Sequence, residues 1–307
     1  MSAQTIEGPD AETRCGVVAI IGAPNAGKST LTNALVGAKV AIVSPKVQTT
    51  RTRLMGIAIE GPTQLMLVDT PGIFAPRRRL DRAMVKAAWD GASDADVIAL
   101  VIDAKRGLRD EVRALIEALR PRPEPKLLVL NKVDLCSKDK LLPLTVQIHA
   151  LLAFEETFMI SAETGDGVAD LKTALVRRMP AGPWHYPEDQ LSDVSQRLLA
   201  AEITREQLYL QLHEELPYAA TVETEKWEER KDGSAALHQV VYVERDTQKA
   251  IVLGKGGSRI KQLGGTARLE LEKLLGRRIH LFLFVKVKPD WADDREIYRD
   301  MGLDWTD

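Results

Sequence analysis

Eight residues, Gly22-Ala23-Pro24-Asn25-Ala26-Gly27-Lys28-Ser29, have the spacing of a loop that wraps phosphate. Glycines let successive backbone N–H groups curl around an anion, and a helix opening at Lys28 adds the positive end of its dipole. Lys28 would reach the β- and γ-phosphates of a nucleoside triphosphate, and Ser29 would ligate Mg²⁺, with Thr30 beside it in the binding set. Four further segments could complete such a site. Asp69-Thr70-Pro71-Gly72 would hold Mg²⁺ through water at Asp69 and sense the γ-phosphate at the Gly72 amide, with Ile73 next in line. Asn131-Lys132-Val133-Asp134 can select a base. The Asp134 carboxylate accepts from guanine N1 and the exocyclic amine, whereas adenine would leave it unpaired. Asn131 would brace the loop, and the stem of Lys132 would pack on the purine. The backbone of Ser161-Ala162-Glu163 can donate to guanine O6. Gln48-Thr49-Thr50-Arg51 offers a threonine that can close the Mg²⁺ shell when the γ-phosphate is present.

Each short motif is weak alone; their order and their positions at strand ends give them weight. Cys15–Ile21, Gln64–Asp69, Val97–Asp103, Lys126–Leu130 and Thr157–Ile160 read as strands. Helical patterns fall near Lys28–Val36, Leu80–Trp89, Gly107–Leu119, Lys138–Leu152 and Val168–Arg178. This alternation predicts an α/β, doubly wound, mostly parallel sheet over residues 15–180. Leu54–Glu60, turning at Gly61-Pro62, predicts one antiparallel edge.

The texture then changes. Prolines 180, 183 and 187 mark a semi-rigid linker over Met179–Glu188, overlapping a connector that spans 181–194. Beyond it a helix over Ser195–Leu216, strands Ala219–Glu228 and Leu237–Glu244, two helices flanking Gly264-Gly265, and a strand Arg278–Lys288 predict a small α+β domain over 195–307. Gly254-Lys255-Gly256-Gly257 fits the loop with which KH domains clamp nucleic-acid backbone, read as following a β-rich stretch and opening a helix. Between Lys249 and Lys288 stand ten lysines and arginines against two glutamates, which favours RNA over a merely solvated face. Arg259 and Lys261 join the loop as candidate RNA contacts.

Composition sets bounds. The net charge of −2 makes any nucleic-acid site a local patch. Two cysteines, and five histidines without metal-ligand spacing, give no disulfide framework or zinc site and fit a reducing cytoplasm. The apolar runs are too short to span a bilayer. Polar, acidic Met1–Arg14 lacks the apolar core of a signal peptide and reads as a disordered tail. Trp184, Trp227 and Trp291 read as packing residues.

The ordered set GAPNAGKS, QTTR, DTPG, NKVD and SAE resembles the five nucleotide motifs of the translation-factor-related GTPases. With Glu215-Leu-Pro-Tyr218, Val252–Gly257 and Val285–Asp294 added, residues 15–307 resemble the Era family of bacterial ribosome-assembly GTPases. The resemblance implies GTP/GDP and Mg²⁺ as ligands and assigns Thr50, rather than Thr49, to the metal, with Lys28, Thr50 and Gly72 as the hydrolytic set. It implies a type II KH domain that binds the 3′ end of 16S rRNA, a role in 30S subunit maturation, and peripheral contact with the inner membrane. In related GTPases with this loop the asparagine ligates potassium, which points to Asn25 for K⁺. Ras-like enzymes hold a water-orienting glutamine where this chain has Ile73, so slow intrinsic hydrolysis is expected. Arg51, Arg53 and Arg77–Arg79 stand where an arginine finger could come from, but no finger is obvious and a solvated switch face is the reading favoured for them. Two other classes fit less of the chain. One is an RNA binder merely stabilised by nucleotide, which Ile73 keeps open; the other is an ATP-using kinase, which Asp134 opposes.

Overall fold

The computed structural model describes residues 12–47, 49–76 and 78–306. Most of the expected tail (1–11), together with Gln48 and Arg77, lies outside the described residues. Thr13 and Arg14, read as tail, are structured. Arg14 opens the first strand, and the Thr13 carbonyl accepts from Gly182 N.

The first sheet holds β1 (Arg14–Ile21), β2 (Leu54–Glu60), β3 (Thr63–Asp69), β4 (Val97–Asp103), β5 (Lys126–Asn131) and β6 (Glu156–Met159). Their order is β2-β3-β1-β4-β5-β6, parallel except for the β2–β3 hairpin. The helices α1 (Lys28–Val36), α2 (Arg79–Ser93), α3 (Asp110–Leu119), α4 (Leu141–His149) and α5 (Val168–Arg178) connect them. The central strands are continuously buried because both faces are covered. Val18, Ile20, Val101 and Val129 pack on one side, and Ala19, Ile21, Leu100 and Leu128 on the other. α3 starts at Asp110 rather than Gly107 because Gly107 adopts a positive φ of 70° that ends the preceding turn. The helix expected over Lys138–Leu152 divides into a 3₁₀ turn at Lys138–Lys140 and α4.

Chain order reverses around β1, between β3 and β4. The crevice at the carboxyl ends of the strands there is where open α/β sheets bind ligands. The segments after β1, β3, β5 and β6 all emerge on that edge.

The second unit comprises α6 (Gln196–Gln211), β7 (Ala220–Glu229), β8 (Ala235–Val243), α7 (Asp246–Leu253), α8 (Ser258–Leu275), β9 (Ile279–Val287) and α9 (Arg295–Asp300). β7 and β8 form a hairpin turning at Asp232-Gly233, and β9 runs parallel to β8 after the α7–α8 crossover. Helices cover one face, where Leu208, Val222, Val241, Val252, Leu263 and Val285 meet.

Three expectations are corrected here. The two helices expected to flank Gly264-Gly265 are one unbroken α8. Its stripe Leu263, Ala267, Leu271 is buried on the sheet, and this packing outweighs about 1 kcal/mol per helical glycine. Gly264 also lies so close to β9 that a Cβ there would sit 3.2 Å from Leu283 Cδ1. The stretch ending at Leu253 is helix α7, not strand. α6 stops at Gln211 because Leu212 and Leu216 must both reach the core, which turns the chain.

The proline-rich connector is strapped to the first sheet. Gln64, fully buried, donates to Tyr186 O and accepts from the His185 and Tyr186 amides. The Leu191 carbonyl accepts from Ile57 N, and Asp193 Oδ1 accepts from Met55 N. The segment lies along β2 as a further edge.

Candidate functional site

Five segments converge on a cavity of about 370 Å³ lined by Pro24, Asn25, Gly27–Thr30, Thr50, Gly72, Lys132 and Glu163. The phosphate loop leaves β1 and closes on Gly27, whose φ of 93° opens α1. Glycine is required there, since a Cβ would fall 2.2 Å from Asn131 Nδ2. Gly22 is equally confined, by the Val101 carbonyl at 2.4 Å. Lys28 is buried, and its Nζ donates to Gly22 O and Ala23 O at 3.1 Å each. Burial pushes its ammonium down to about 8, a shift that Asp69 opposes. The ammonium is thus held inside the loop's own curve, where phosphate oxygens would replace the two carbonyls.

Ser29 Oγ lies 2.8 Å from Thr50 Oγ1 and donates to Asp69 Oδ2 at 2.6 Å. These three side chains come from α1, the α1–β2 segment and the end of β3, and they meet only in the fold. Asp69 is fully buried, and its Oδ1 has no hydrogen-bond partner among the described residues. Burial lifts its carboxyl to about 6, against the Ser29 hydrogen bond and Lys28. Two hydroxyl oxygens beside a buried carboxylate with one unsatisfied oxygen fit a hard cation such as Mg²⁺.

Gly72 packs against the loop so closely that a Cβ would be 2.7 Å from Pro24 Cα, and Ile73 N donates to Gly22 O at 3.2 Å. Ile73 itself packs beside the Ala23 and Ile102 side of the core. Thr70 and Pro71 are buried; the Thr70 hydroxyl donates to Ile20 O at 2.9 Å, so its side chain serves the sheet and not the cavity.

Asn131 ties three segments together. Its Nδ2 donates to Ala26 O, while its Oδ1 accepts from Lys132 N and Ala162 N at 2.8 and 2.9 Å. Lys132, at a φ of 63°, sends Nζ to Asn25 O at 2.6 Å and Asp103 Oδ2 at 2.7 Å. Val133 N donates to Ile160 O, and Asp134 stays exposed beside this brace. Ser161 and Ala162 are buried, with Glu163 exposed on the cavity wall. Sequence reasoning missed Asp103 and Arg106. Asp103 ends β4 at the crevice, which is the signal that could have found it; Arg106 lines the cavity from the following turn.

In the second unit, Gly254, Gly256 and Gly257 all have positive φ, at 71°, 59° and 77°, between the end of α7 and the start of α8. Lys255, Gly256, Arg259 and Lys261 are exposed. Arg259 is not a free cation, because its Nη1 donates to Ile251 O at the end of α7.

Residues 17–132 match the family of 50S ribosome-binding GTPases, and residues 215–292 match the KH domain. GTPase Era of Bradyrhizobium sp. (strain BTAi1) is 59% identical over 305 residues, 99% of each chain. The chain belongs to the Era family of GTPases. Era of Rhizobium meliloti is 60% identical over 95% of this chain and 94% of its own. Two solved structures superpose with a TM-score of 0.90 at 38% identity, covering 94% of this chain and 99% of theirs. One is Era with MgGDPNP and nucleotides 1506–1542 of 16S ribosomal RNA; the other is an Aquifex aeolicus Era variant bound to GDP and AlF₄⁻. As an Era-family member the chain is a GTPase with a KH domain at its carboxyl end.

The switch arginines find a place that the sequence did not predict. Arg51 is 2% exposed and reaches into the second unit, where it donates to Ala220 O at 2.9 Å and Tyr209 Oη at 3.0 Å. It is neither a solvated residue nor a finger over the cavity. Arg53 is exposed, and Arg79 pairs with Asp293 at 2.9 Å. Trp291 is buried in the same interface, as expected of a packing residue, with Arg51 5.3 Å over its ring.

Proposed function

We propose that this GTPase is a switch whose nucleotide state governs how its KH unit is presented to the 3′ end of 16S rRNA, and that it thereby assists maturation of the 30S subunit. The observation that carries this reading is the meeting of Thr50 and Asp69 on Ser29 Oγ, at 2.8 and 2.6 Å, at the mouth of the phosphate loop, with Arg51 next to Thr50 continuing into the KH interface. Residues 15–180 form the GTPase unit, 181–194 the strapped connector and 195–307 the KH unit.

In the nucleotide-loaded protein Lys28 binds the β- and γ-phosphates, and Ser29 and Thr50 would hold Mg²⁺, with Asp69 behind an intervening water. Bound Mg²⁺ supplies neutralisation of charge developing between the β- and γ-phosphate oxygens. The Gly72 amide reports the γ-phosphate. Asn131 and Lys132 brace the base pocket, Asp134 selects guanine, and the backbone at Ala162 is positioned for O6. Asn25, which lines the cavity and donates to Pro45 O, is the residue for a K⁺ ion; equal hydrolysis rates in potassium and sodium would remove that role. Ile73, packed toward the core, has no group to orient water, which supports slow intrinsic turnover.

RNA contacts fall to Gly254–Gly257, Lys255 and Lys261. The relative bound to nucleotides 1506–1542 of 16S rRNA supports that choice of ligand. α2, which follows Gly72, buries Leu80, Ala83 and Met84 against Trp291, Tyr298 and Met301, and this connects the γ-phosphate sensor to the KH unit. The reading makes this a cytoplasmic protein whose contact with the inner membrane is peripheral. Among the described residues no helix is long and apolar enough to cross a membrane.

The decisive experiment titrates an RNA carrying the 16S 3′ sequence against the protein loaded with GTP analogue or GDP. Different affinities are expected; equal ones end the switch. Replacing Lys255 and Gly256 by Asp should abolish RNA binding and spare GTP binding, and survival of RNA binding would remove the loop assignment.

A further inference from the structure

Thr50 is flanked by two residues that the KH unit grips. On one side Arg205, from α6, donates through Nη2 to the Thr49 carbonyl at 2.5 Å. On the other, Arg51 donates to the Ala220, Pro217 and Tyr218 carbonyls and to Tyr209 Oη. Earlier in the same segment Lys46 Nζ reaches the carbonyls of Tyr209 and Leu212, and Glu206 Oε1 accepts from Val43 N at 2.8 Å. Val43, Lys46, Thr49 and Arg51 are thus each held by α6 or the chain that follows it. Arg205 and Arg51 are 1% and 2% exposed, and they share the Tyr209 ring at 5.2 and 5.8 Å. Two guanidinium groups buried together are costly unless each is hydrogen-bonded. Glu202 holds Arg205 through Nε at 2.7 Å and through Nη2, so the arginine is oriented before it reaches Thr49.

Such an arrangement exceeds what adhesion between two domains needs. The α2 face already supplies an apolar contact, with Met84, Trp291 and Tyr298 all buried. Instead, Arg205 fixes the backbone at Thr49 and Arg51 is anchored through its own side chain, so both neighbours of one hydroxyl are held, and that hydroxyl lies 2.8 Å from Ser29 Oγ.

We propose that Arg205 is a positioning residue for GTP hydrolysis, contributed by the KH unit: with Arg51 it latches residues 49–51 so that Thr50 faces Ser29 and Asp69. This rests on the assignment of Thr50 to Mg²⁺ made above. By linkage, a KH unit docked through Arg205 tightens Mg²⁺–nucleotide binding, and bound nucleotide tightens docking by the same factor. Any change that draws α6 away would unlatch Thr50 and slow turnover without touching the nucleotide.

The test uses the full-length protein with Arg205→Lys, which keeps the charge and loses the fork, and Arg205→Met, which keeps the stem. Thr50→Ala marks the site itself, and Lys86→Ala breaks a surface contact with Asp304 in the same interface away from Thr50. Two readouts are taken: kcat and KM for GTP, and Mg²⁺ affinity by calorimetry on the protein loaded with GTP analogue. Hydrogen exchange over residues 43–51 is followed alongside. A misplaced ligand costs on the order of 10-fold to 100-fold. With Mg²⁺ saturating, both Arg205 variants should therefore lower kcat roughly 10-fold with little change in KM; they should also weaken Mg²⁺ binding, raise KM when Mg²⁺ is limiting, and speed exchange over 43–51. Lys86→Ala should match the parent. Adding Arg205→Lys to Thr50→Ala should bring no further loss, because Arg205 acts through the Thr50 hydroxyl. If Thr50→Ala is impaired while folded Arg205→Lys keeps parental kcat, Mg²⁺ affinity and exchange, the latch is wrong. If Thr50→Ala itself behaves as the parent, the metal assignment fails with it. An equal loss in Lys86→Ala would reduce Arg205 to ordinary interface adhesion.

Discussion

Asp103 Oδ2 sits 2.7 Å from Lys132 Nζ, joining the last residue of β4 to the loop after β5. Lys132 also spans to Asn25 O in the phosphate loop, so the carboxylate fixes a lysine that bridges base and phosphate ends of the cavity. Asp103→Ala should release that lysine. Charge-assisted hydrogen bonds of this kind contribute about 1.5–3 kcal/mol, so GDP affinity should fall about 10-fold or more. RNA binding should be unchanged. A fluorescent-nucleotide titration beside an RNA titration checks both, and unchanged GDP affinity would remove Asp103 from the site.

Guanine selectivity should reside in Asp134. Its carboxylate can accept two hydrogen bonds from guanine, together about 3–6 kcal/mol. Asp134→Asn should therefore cost guanine nucleotide on the order of 100-fold or more and favour xanthine nucleotide, whose acceptor matches the new amide. Competition with GTP, XTP and ATP measures it. A preference of the unaltered protein for ATP would overturn the assignment.

The sequence made Asn131–Asp134 legible as a motif, yet Asp103 belongs to none, and its partner lies 29 residues on. The same limit explains the rest. Strands β1 to β5 were readable because both-face burial writes continuous apolar runs, such as Val97–Ile102. Ser29, Thr50 and Asp69 were readable because each lies in a short local pattern. Arg51 and Arg205 were not, since a buried arginine looks like a solvated one until the carbonyls that receive it are known. Gly264-Gly265 misled for a related reason: local propensity predicts a break, and packing of Leu263, Ala267 and Leu271 overrides it.

Asp69 should make stability depend on pH in an unusual direction. Its folded carboxyl is raised to about 6 from about 3.8 by burial. Between those values the native state holds more protons than the unfolded chain, so stability falls as pH rises through the window. The loss is complete above about pH 6 and is on the order of 2–3 kcal/mol. Lys28 acts oppositely: lowered to about 8, it penalises the fold below that pH, and the penalty lifts as pH climbs toward 10.5. Asp69→Asn should thus raise the Tm of the nucleotide-free protein at pH 7.5 and confer no advantage near pH 4. With GTP analogue and Mg²⁺ the order should invert, because the variant loses the ligand-linked gain. Thermal scans at the two pH values, with and without ligand, check the inversion; a parent more stable than Asp69→Asn at pH 7.5 without ligand would contradict the buried-carboxylate account.

The basic residues of the KH loop should separate into two kinds. Lys255 and Lys261 are exposed, and Lys255 stands within the positive-φ loop, where backbone N–H groups and a cation can share one phosphate. Arg259 donates to Ile251 O and so closes the end of α7. Lys255→Ala and Lys261→Ala should each weaken RNA binding at low salt and reduce the slope of log affinity against log salt by about 1, with no change in Tm. Arg259→Ala should cost about 1 kcal/mol of stability, by leaving a helix-terminal carbonyl to water. Its effect on the salt slope should be smaller, because the guanidinium is already engaged. Affinity measured across a salt series, with thermal melts of the same three variants, gives both numbers for each residue. An Arg259→Ala protein with parental Tm and a full unit lost from the slope would make this arginine a phosphate contact rather than a cap.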